Sequence, residues 1–377
     1  MQLVSFPLEI ECFQLMLHAD NLFCSSRLID WFEVNKRDLP WREVNDPYKI
    51  WISEIILQQT RVKQGWDYYT RFIERFPDVK TLAGAEEVEV LKYWQGLGYY
   101  SRARNLLVAA RMIMTQFEGK FPEDYDSILK LKGVGEYTAA AIVSFAWNKP
   151  YPVVDGNVFR FLSRLLGIRE AIDTVHGKKL FTQIAGKLMN VERAGVFNQA
   201  IMEFGALQCI PVSPECNVCP FVESCYACNS NQVAHFPVKQ NKIKTKTRYF
   251  YYFHIRFEDY TYLNKRAEKD IWQNLYEFPC VESEESLSFE QLQQTVQFQK
   301  LFPPSMQIQC KLVIANKKHI LTHRILYADF YEVIVEKETE SLSAFTKILS
   351  KDIDIYPVHR LMQFYTETSP LICGCGS

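Results

Sequence analysis

Apolar residues recur at intervals of three and four along the first half of the chain, and at every second position along much of the remainder. The first period follows Ser26, with Leu28, Ile29, Trp31 and Phe32 on one helical face. Asp46-Pro47 has the form of a helix start, with Pro at the first helical position. Behind it, Tyr48 to Thr60 carries Ile50, Ile52, Ile55, Ile56 and Leu57, which cover more than one face and predict a largely buried helix. Further helices are predicted at Val62–Phe76, Glu86–Gln95, Ser101–Phe117, Glu136–Trp147, Val158–Leu166, Gly177–Met189 and Gly195–Leu207. Gly and Pro punctuate them, as at Phe76-Pro77 and Phe121-Pro122. A polar stretch from Asn229 to Thr247 then interrupts the pattern. Beyond it Arg248–Phe257, Lys311–Ile314 and Ile325–Val335 alternate as strands, with helices expected at Ser288–Val296 and Ser341–Leu349. The fold class is therefore a mostly α first half followed by an α+β second half. The expected boundaries are an extension over 1–25, a helical domain over 26–230, a linker over 231–247 and a second domain over 248–370.

Length and composition agree. A chain of 377 residues suits two domains, and 48% hydrophobic with 23% charged residues is the make-up of a soluble globular protein. No stretch is long and apolar enough to span a bilayer, and no basic region precedes an apolar run at the N-terminus, which predicts a cytoplasmic location. The net charge of −1 argues mildly against a nucleic-acid partner. Backbone amides at helix N-termini, however, hold phosphates without adding charge. Lys239, Lys242, Lys244, Lys246 and Arg248 form one basic run, readable as a solvated linker or as a DNA contact.

Four motifs carry chemistry. The 11 cysteines are an odd count in a chain without a secretory signal, which points to metal binding rather than disulfides. Cys209, Cys216, Cys219 and Cys225 lie within one short loop, where four thiolates can enclose an iron–sulfur cluster or a single zinc; spacing does not decide between them. Cys228 repeats the short spacing after Cys225 and is a rival donor. Leu131-Lys132-Gly133-Val134-Gly135-Glu136-Tyr137-Thr138 lies between two predicted helices. Gly133 and Gly135 let the backbone turn tightly and present amides at a helix N-terminus, for a phosphate or as a plain packing turn. Val153-Val154-Asp155-Gly156-Asn157-Val158-Phe159-Arg160 puts Asp155 at or near a helix N-cap, where the dipole and amides favour its anion and where an Asp also sits for capping alone. Finally, Glu54 is an acid in the middle of the apolar Trp51–Thr60 helix, where burial disfavours its anion.

Together these motifs resemble the adenine DNA glycosylases that act on adenine mispaired with 8-oxoguanine, the MutY family. The resemblance runs from about Ile29 to Thr366. It includes Leu39-Pro40-Trp41-Arg42, Asp46-Pro47-Tyr48 through Thr60, and Trp94-Gln95-Gly96-Leu97-Gly98-Tyr99-Tyr100-Ser101-Arg102-Ala103. In the second half it includes Lys265–Lys269 through Leu275-Tyr276-Glu277-Phe278-Pro279, and Leu321-Thr322-His323. It implies a helix–hairpin–helix domain whose Cys209, Cys216, Cys219 and Cys225 hold a [4Fe-4S] cluster, followed by a nudix-like domain that inspects 8-oxoguanine. It implies that Glu54 protonates adenine, that Asp155 stabilises the sugar cation, and that Tyr137 and Asn157 support both. Trp41, Arg42 and Leu57 would line the adenine pocket, and Gln59 and Tyr99 would enter the base stack. Thr322 and His323 would form the recognition loop, with Thr322 keeping the hydroxyl of the Ser in many relatives and adding a methyl. The clustered Arg and Glu of a catalytic nudix box are absent, so that half is expected to read DNA rather than hydrolyse nucleotides. The lyase relatives resembling endonuclease III have a Lys at the place of Tyr137; a phenol cannot form their Schiff base, so the implied enzyme is monofunctional. The implied partner is double-stranded DNA with A:8-oxoguanine or A:G mispairs, and the implied protein is a monomer associated with a bacterial nucleoid. Three rivals remain: a bifunctional glycosylase/lyase, a non-catalytic metal-cluster protein that binds DNA or senses redox state, and a zinc-stabilised interaction module, which leaves the Trp51–Thr60 run unexplained.

Overall fold

The structure is a computed structural model describing residues 24–42, 44–241, 245–267 and 270–368. Residues 1–23 of the expected extension, Lys242 and Lys244 of the basic run, and Glu268 and Lys269 of the second-half motif lie outside the described residues. The described residues fall into two compact units, one within Met1–Ala83 and Val108–Lys242, the other within Gly84–Leu107 and Ile243–Ser377. In chain order the helices of the first two-thirds are α1 (24–35), α2 (Pro47–Leu57), α3 (Val62–Arg75), α4 (Val79–Gly84), α5 (Glu87–Tyr93), α6 (Ser101–Gln116), α7 (Tyr125–Leu129), α8 (Glu136–Trp147), α9 (Gly156–Leu166), α10 (Val175–Leu188), α11 (Ala194–Leu207) and α12 (Tyr226–Asn229).

The first unit is helical, as the periodicity predicts. In α2, Asp46 caps the start by accepting from Tyr48 N at 2.9 Å, and Pro47 opens the helix. The helix stops at Leu57, three residues short of the predicted end, because Gln59 turns to a φ of 60°. Helix α8 has Gly135 at its N-cap, and α9 has Asp155 at its N-cap and Gly167, whose φ is 69°, at its C-cap. Helices α9 and α11 pack against each other, and a Cβ at Gly205 would stand 2.6 Å from the Asn157 carbonyl oxygen. That closeness requires glycine and sets the distance between the N-terminus of α9 and the α11 wall. Phe161, Phe204 and Phe221 meet edge to face beneath this pair. The stretch read as a linker is held here as far as residue 241. Ile172 N donates to Val238 O at 3.1 Å, and the Asp173 carboxylate accepts from Gln240 N and Asn241 N.

The second unit is a sheet of β1 (Lys246–Phe257), β2 (Tyr260–Lys265), β3 (Tyr276–Glu277), β4 (Cys280–Ser283), β5 (Ile308–Leu321), β6 (Arg324–Val335) and β7 (Thr346–Leu349). The order is β3-β2-β1-β6-β5, with β4 paired to β1 and β7 to β2; β1 and β6 run parallel. Strand β1 is a near-continuous apolar run because both faces are covered. Tyr251, Phe253 and Ile255 join one core, while Tyr252 and His254 stack with Phe330 and Phe278 on the other face. The helix expected at Ser341–Leu349 is a correction. Residues Thr346–Leu349 form β7, paired antiparallel to β2 from Tyr260↔Leu349 to Leu263↔Thr346. An open sheet edge outweighed local propensity. The Lys265–Pro279 motif is structural: buried Arg266 binds Glu277 at 2.6 Å and Glu282 at 2.7 Å, and Glu277 accepts from buried His359 at 3.0 Å. The segment within Gly84–Leu107 packs on this unit. Tyr100 Oη donates to Val358 O at 3.3 Å, and Arg104 Nη1 donates to Gln273 O at 2.8 Å.

Candidate active site

The first unit contains a cleft of about 890 Å³, within the range of ligand and cofactor sites. Four helices furnish its polar groups: α2 carries Glu54, α8 carries Tyr137, the N-terminus of α9 carries Asp155 and Asn157, and α11 carries Glu203. Trp41, Arg42, Leu57 and Gln59 line it too. Residues as far apart in the chain as Arg37 and Glu203, 166 positions, thus converge on one space because α2 packs on α8, α8 on α11 and α11 on α9.

Glu54 is buried among Ile50, Ile52, Ile55 and Ile56. Burial pushes its carboxyl up from an ordinary 4.5 to about 7, against a hydrogen bond from the Tyr137 phenol that favours the anion; nearby Asp155 adds to the rise. Asp155 is tied differently. Its Oδ1 accepts from Asn157 N and Val158 N, both at 2.9 Å, and its Oδ2 accepts from Asn157 Nδ2 at 2.7 Å. The helix N-cap reading is therefore observed. The expectation that the N-terminus would leave the acid strengthened is not. Burial raises Asp155 above its ordinary value, and the three hydrogen bonds and Arg160 only offset it in part. The two acids thus differ in their partners: Asp155 accepts from two amides and the Asn157 side chain, whereas Glu54 has the Tyr137 phenol.

Two groups in this cleft were given no role from the sequence. Glu203 is buried and accepts from Arg37 Nε at 2.8 Å, Arg37 Nη2 at 2.6 Å and Arg42 Nη1 at 3.0 Å. Burial opposes its anion, but the two guanidinium groups win and hold it down to about 2. Arg42, expected against a bound base, is thus already committed to Glu203 and to Arg37 O at 2.6 Å. The signal that finds Glu54, an acid in an apolar helix, is equally present in Ala194–Leu207 around Glu203. Arg160 is the second. It donates to Asn157 Oδ1 at 2.9 Å and to Cys209 O at 2.7 Å, so one side chain links the support of Asp155 to the start of the cysteine loop. It lies three residues after Asn157, on the same helical face.

In that loop, Cys209, Cys216, Cys219, Cys225 and Cys228 line one cavity walled by Phe161, Phe204 and Phe221. Amides point at sulfur: Phe221 N at Cys219, and Ala227 N and Cys228 N at Cys225. Arg164 Nη1 lies 3.5 Å from Cys209 Sγ. An all-sulfur donor set, amides aimed at the sulfurs and an apolar wall fit a thiolate-held centre, whose negative charge those donors would stabilise. Among the described residues, no group of three His, Cys, Asp or Glu side chains has the arrangement of a single-ion site.

The remaining predicted residues lie elsewhere. Gly133 is exposed with a φ of 80°, and Gly135 opens α8 without a side-chain cap, so the hairpin presents free backbone toward solvent. In the second unit, Thr322 and His323 form the two-residue turn between β5 and β6. The Tyr99 hydroxyl, on a residue with a φ of 47°, hydrogen-bonds the Thr322 hydroxyl. Tyr99 and the recognition-loop candidates are thus brought together within that unit. No helix of the described residues is long and apolar enough to cross a membrane.

Residues 52–186 match the HhH-GPD superfamily base excision DNA repair protein family, and residues 251–367 match the NUDIX domain. The adenine DNA glycosylase of Buchnera aphidicola subsp. Baizongia pistaciae is 35% identical over 314 residues, 82% of this chain and 86% of that protein. Its counterpart from Buchnera aphidicola subsp. Acyrthosiphon pisum is 36% identical over 262 residues, 69% of this chain and 75% of that protein. Among solved structures, a thermostable thymine-DNA glycosylase aligns with a TM-score of 0.53 and 28% identity, covering 56% of this chain and 97% of that one. The helical unit and the nudix-like unit that follows it in the chain agree with these matches, and the chain belongs to the adenine DNA glycosylase family.

Proposed function

We propose that this protein excises adenine mispaired with 8-oxoguanine or guanine from duplex DNA in base excision repair, acting as a monofunctional glycosylase that leaves an abasic site. The observation that carries the reading is the Glu54–Asp155 pair in one cleft, with Glu54 held near neutrality. Adenine must leave the base stack to reach any protein group, at a cost of a few kcal/mol that is smaller at a mispair. Gln59, exposed and fixed in a left-handed turn at the cleft rim, is suited to fill the gap. Trp41, packed edge to face on Tyr69 at 5.3 Å, offers a rigid aromatic wall to the everted base.

Protonated Glu54 then gives its proton to the adenine ring as the N-glycosidic bond breaks, so the base departs neutral. The sugar is left with oxocarbenium character, which the Asp155 anion stabilises. Asn157 keeps that carboxylate aimed. Water adds to the sugar carbon and its proton returns to a carboxylate, which restores the pair. Tyr137 supplies a phenol hydrogen-bonded to Glu54 where a lyase needs an amine. Cys209, Cys216, Cys219 and Cys225 would hold a [4Fe-4S] cluster, which when bound braces the loop that follows α11. The Gly133–Gly135 amides would receive a DNA phosphate, and Thr322 and His323 would meet the 8-oxoguanine.

The test is a glycosylase assay on duplexes with adenine opposite 8-oxoguanine, guanine or thymine, with borohydride added in parallel. Release of adenine opposite the first two, without a trapped covalent product, is expected. Trapping would overturn the monofunctional reading, with Lys63, an amine lining the cleft, as the first residue to substitute.

A further inference from the structure

The cysteine cavity holds one more sulfur than four-thiolate ligation uses. Cys228 sits on the short helix α12, three residues after Cys225 and therefore on the same face. Its side chain lines the same cavity as the other four, and Cys228 is the thiol that acts most strongly on Cys216. The other three sulfurs are held by separate contacts. Cys209 has the Arg164 guanidinium, Cys219 the amide of Phe221, and Cys225 the amides of Ala227 and Cys228, with its Sγ also 3.5 Å from Arg164 O. The corner at Cys216 thus has a second thiol beside it in the same cavity. Both thiols sit on elements of only three and four residues, Cys216–Val218 and Tyr226–Asn229, which shift more readily than the long helices beneath them.

We propose that Cys228 is a reserve ligand at the Cys216 corner of the metal centre, an inference that rests on the cluster reading above. The exchange is a ligand substitution without change of oxidation state. The Cys228 thiol loses its proton to solvent and forms a sulfur–iron bond, while the Cys216 sulfur–iron bond breaks and that sulfur takes up a proton. No oxidant or reductant is needed. Of the four loop cysteines, Cys216 is then the one whose loss the protein tolerates.

The test uses the full chain purified without oxygen, as wild type and as C216S, C228S, C219S and C216S/C228S, with iron and acid-labile sulfide counted per chain and visible absorbance recorded. Each single variant at the shared corner is expected to keep a near-wild-type load. C219S and the double variant should lose about tenfold or more, the scale at which a lost ligand or its support shows in metal affinity. Circular dichroism separates loss of metal from loss of fold. Alkylation mapped by mass spectrometry gives a second readout: Cys228 is labelled in the wild type and protected in C216S. Iron loss in C216S as complete as in the double variant, with Cys228 still labelled, overturns the proposal. A wild-type chain without iron or sulfide overturns the cluster reading itself, a different result from failure of the reserve ligand.

Discussion

Glu54 and Glu203 are the same residue type in the same kind of place, yet they end in opposite states. Each is a lone acid in an apolar helix, each is buried, and both line one cleft. Glu54 faces a phenol and another carboxyl and is pushed up to about 7; Glu203 faces two guanidinium groups and is held down to about 2. Burial has the same sign in both cases. What differs is the partner, and the partner makes one acid a proton donor and the other a fixed anion that anchors Arg37 and Arg42. The cleft therefore has a working wall and a bracing wall.

The largest expected effect tests the working wall. Glu54→Gln keeps the shape and a hydrogen-bonding group but removes the proton donor, and should lower adenine release by about 10²–10⁴-fold, the usual scale for a general acid. Asp155→Asn should fall at least as far. Both should still bind mispaired duplex, measured by fluorescence anisotropy. Turnover within a few-fold of wild type in either variant would remove the acid–base assignment.

Glu203→Ala tests the bracing wall. It leaves Arg42, and part of Arg37, charged and unpaired, and should destabilise the helical unit by about 3 kcal/mol, the lower end for breaking a buried pair because Arg37 is partly hydrated. Urea unfolding of the full chain measures it. A loss of rate without loss of stability would instead make Glu203 a working group and collapse the contrast.

How far the sequence reached follows the same division. Periodicity located the long helices of the first unit because each buries a stripe against its neighbours: α8 begins and ends at the predicted residues, and α2 misses only its last turn. In the second unit the main strands were legible from alternation. β7 and the final helix Arg360–Thr368 were not, since a four-residue strand carries no usable period and its pairing with β2 is tertiary. In the site, Glu54 stood out as an acid without a local partner. Glu203 carries the same signal, but Arg37 and Arg42 come from 166 and 161 residues away, and no local pattern announces them. The direction at Asp155 was misjudged for a related reason: a helix N-terminus is visible in sequence, whereas the depth of its burial is not.

The two acids also predict opposite pH windows. Glu54 binds its proton more tightly folded than unfolded, so its contribution is full below 4.5 and declines as pH rises through 7, on the order of 3 kcal/mol in all. Glu203 has a depressed folded value, so its contribution is present above 4.5 and is lost as pH falls toward 2. Unfolding curves across pH should show the first slope vanish in Glu54→Gln and the second in Glu203→Gln. Loss of both slopes in one variant would mean that the walls titrate as a single network.

The smallest effect concerns what tunes Glu54. The Tyr137 hydrogen bond favours the Glu54 anion and partly cancels the effect of burial. Tyr137→Phe removes that bond and the long contact from the phenol to Met202 Sδ at 4.0 Å, so Glu54 should hold its proton to a higher pH. The alkaline limb of the rate profile, where the proton donor is lost, should move upward by up to about one unit, since a unit is worth about 1.4 kcal/mol and a single hydrogen bond is of that size. The rate below the limb should change little, because the donor is already protonated there. A limb that stays put would show that the phenol does not act on Glu54. A limb that moves downward would show that it stabilises the protonated carboxyl instead, and the split between the working and bracing walls would then rest on burial alone.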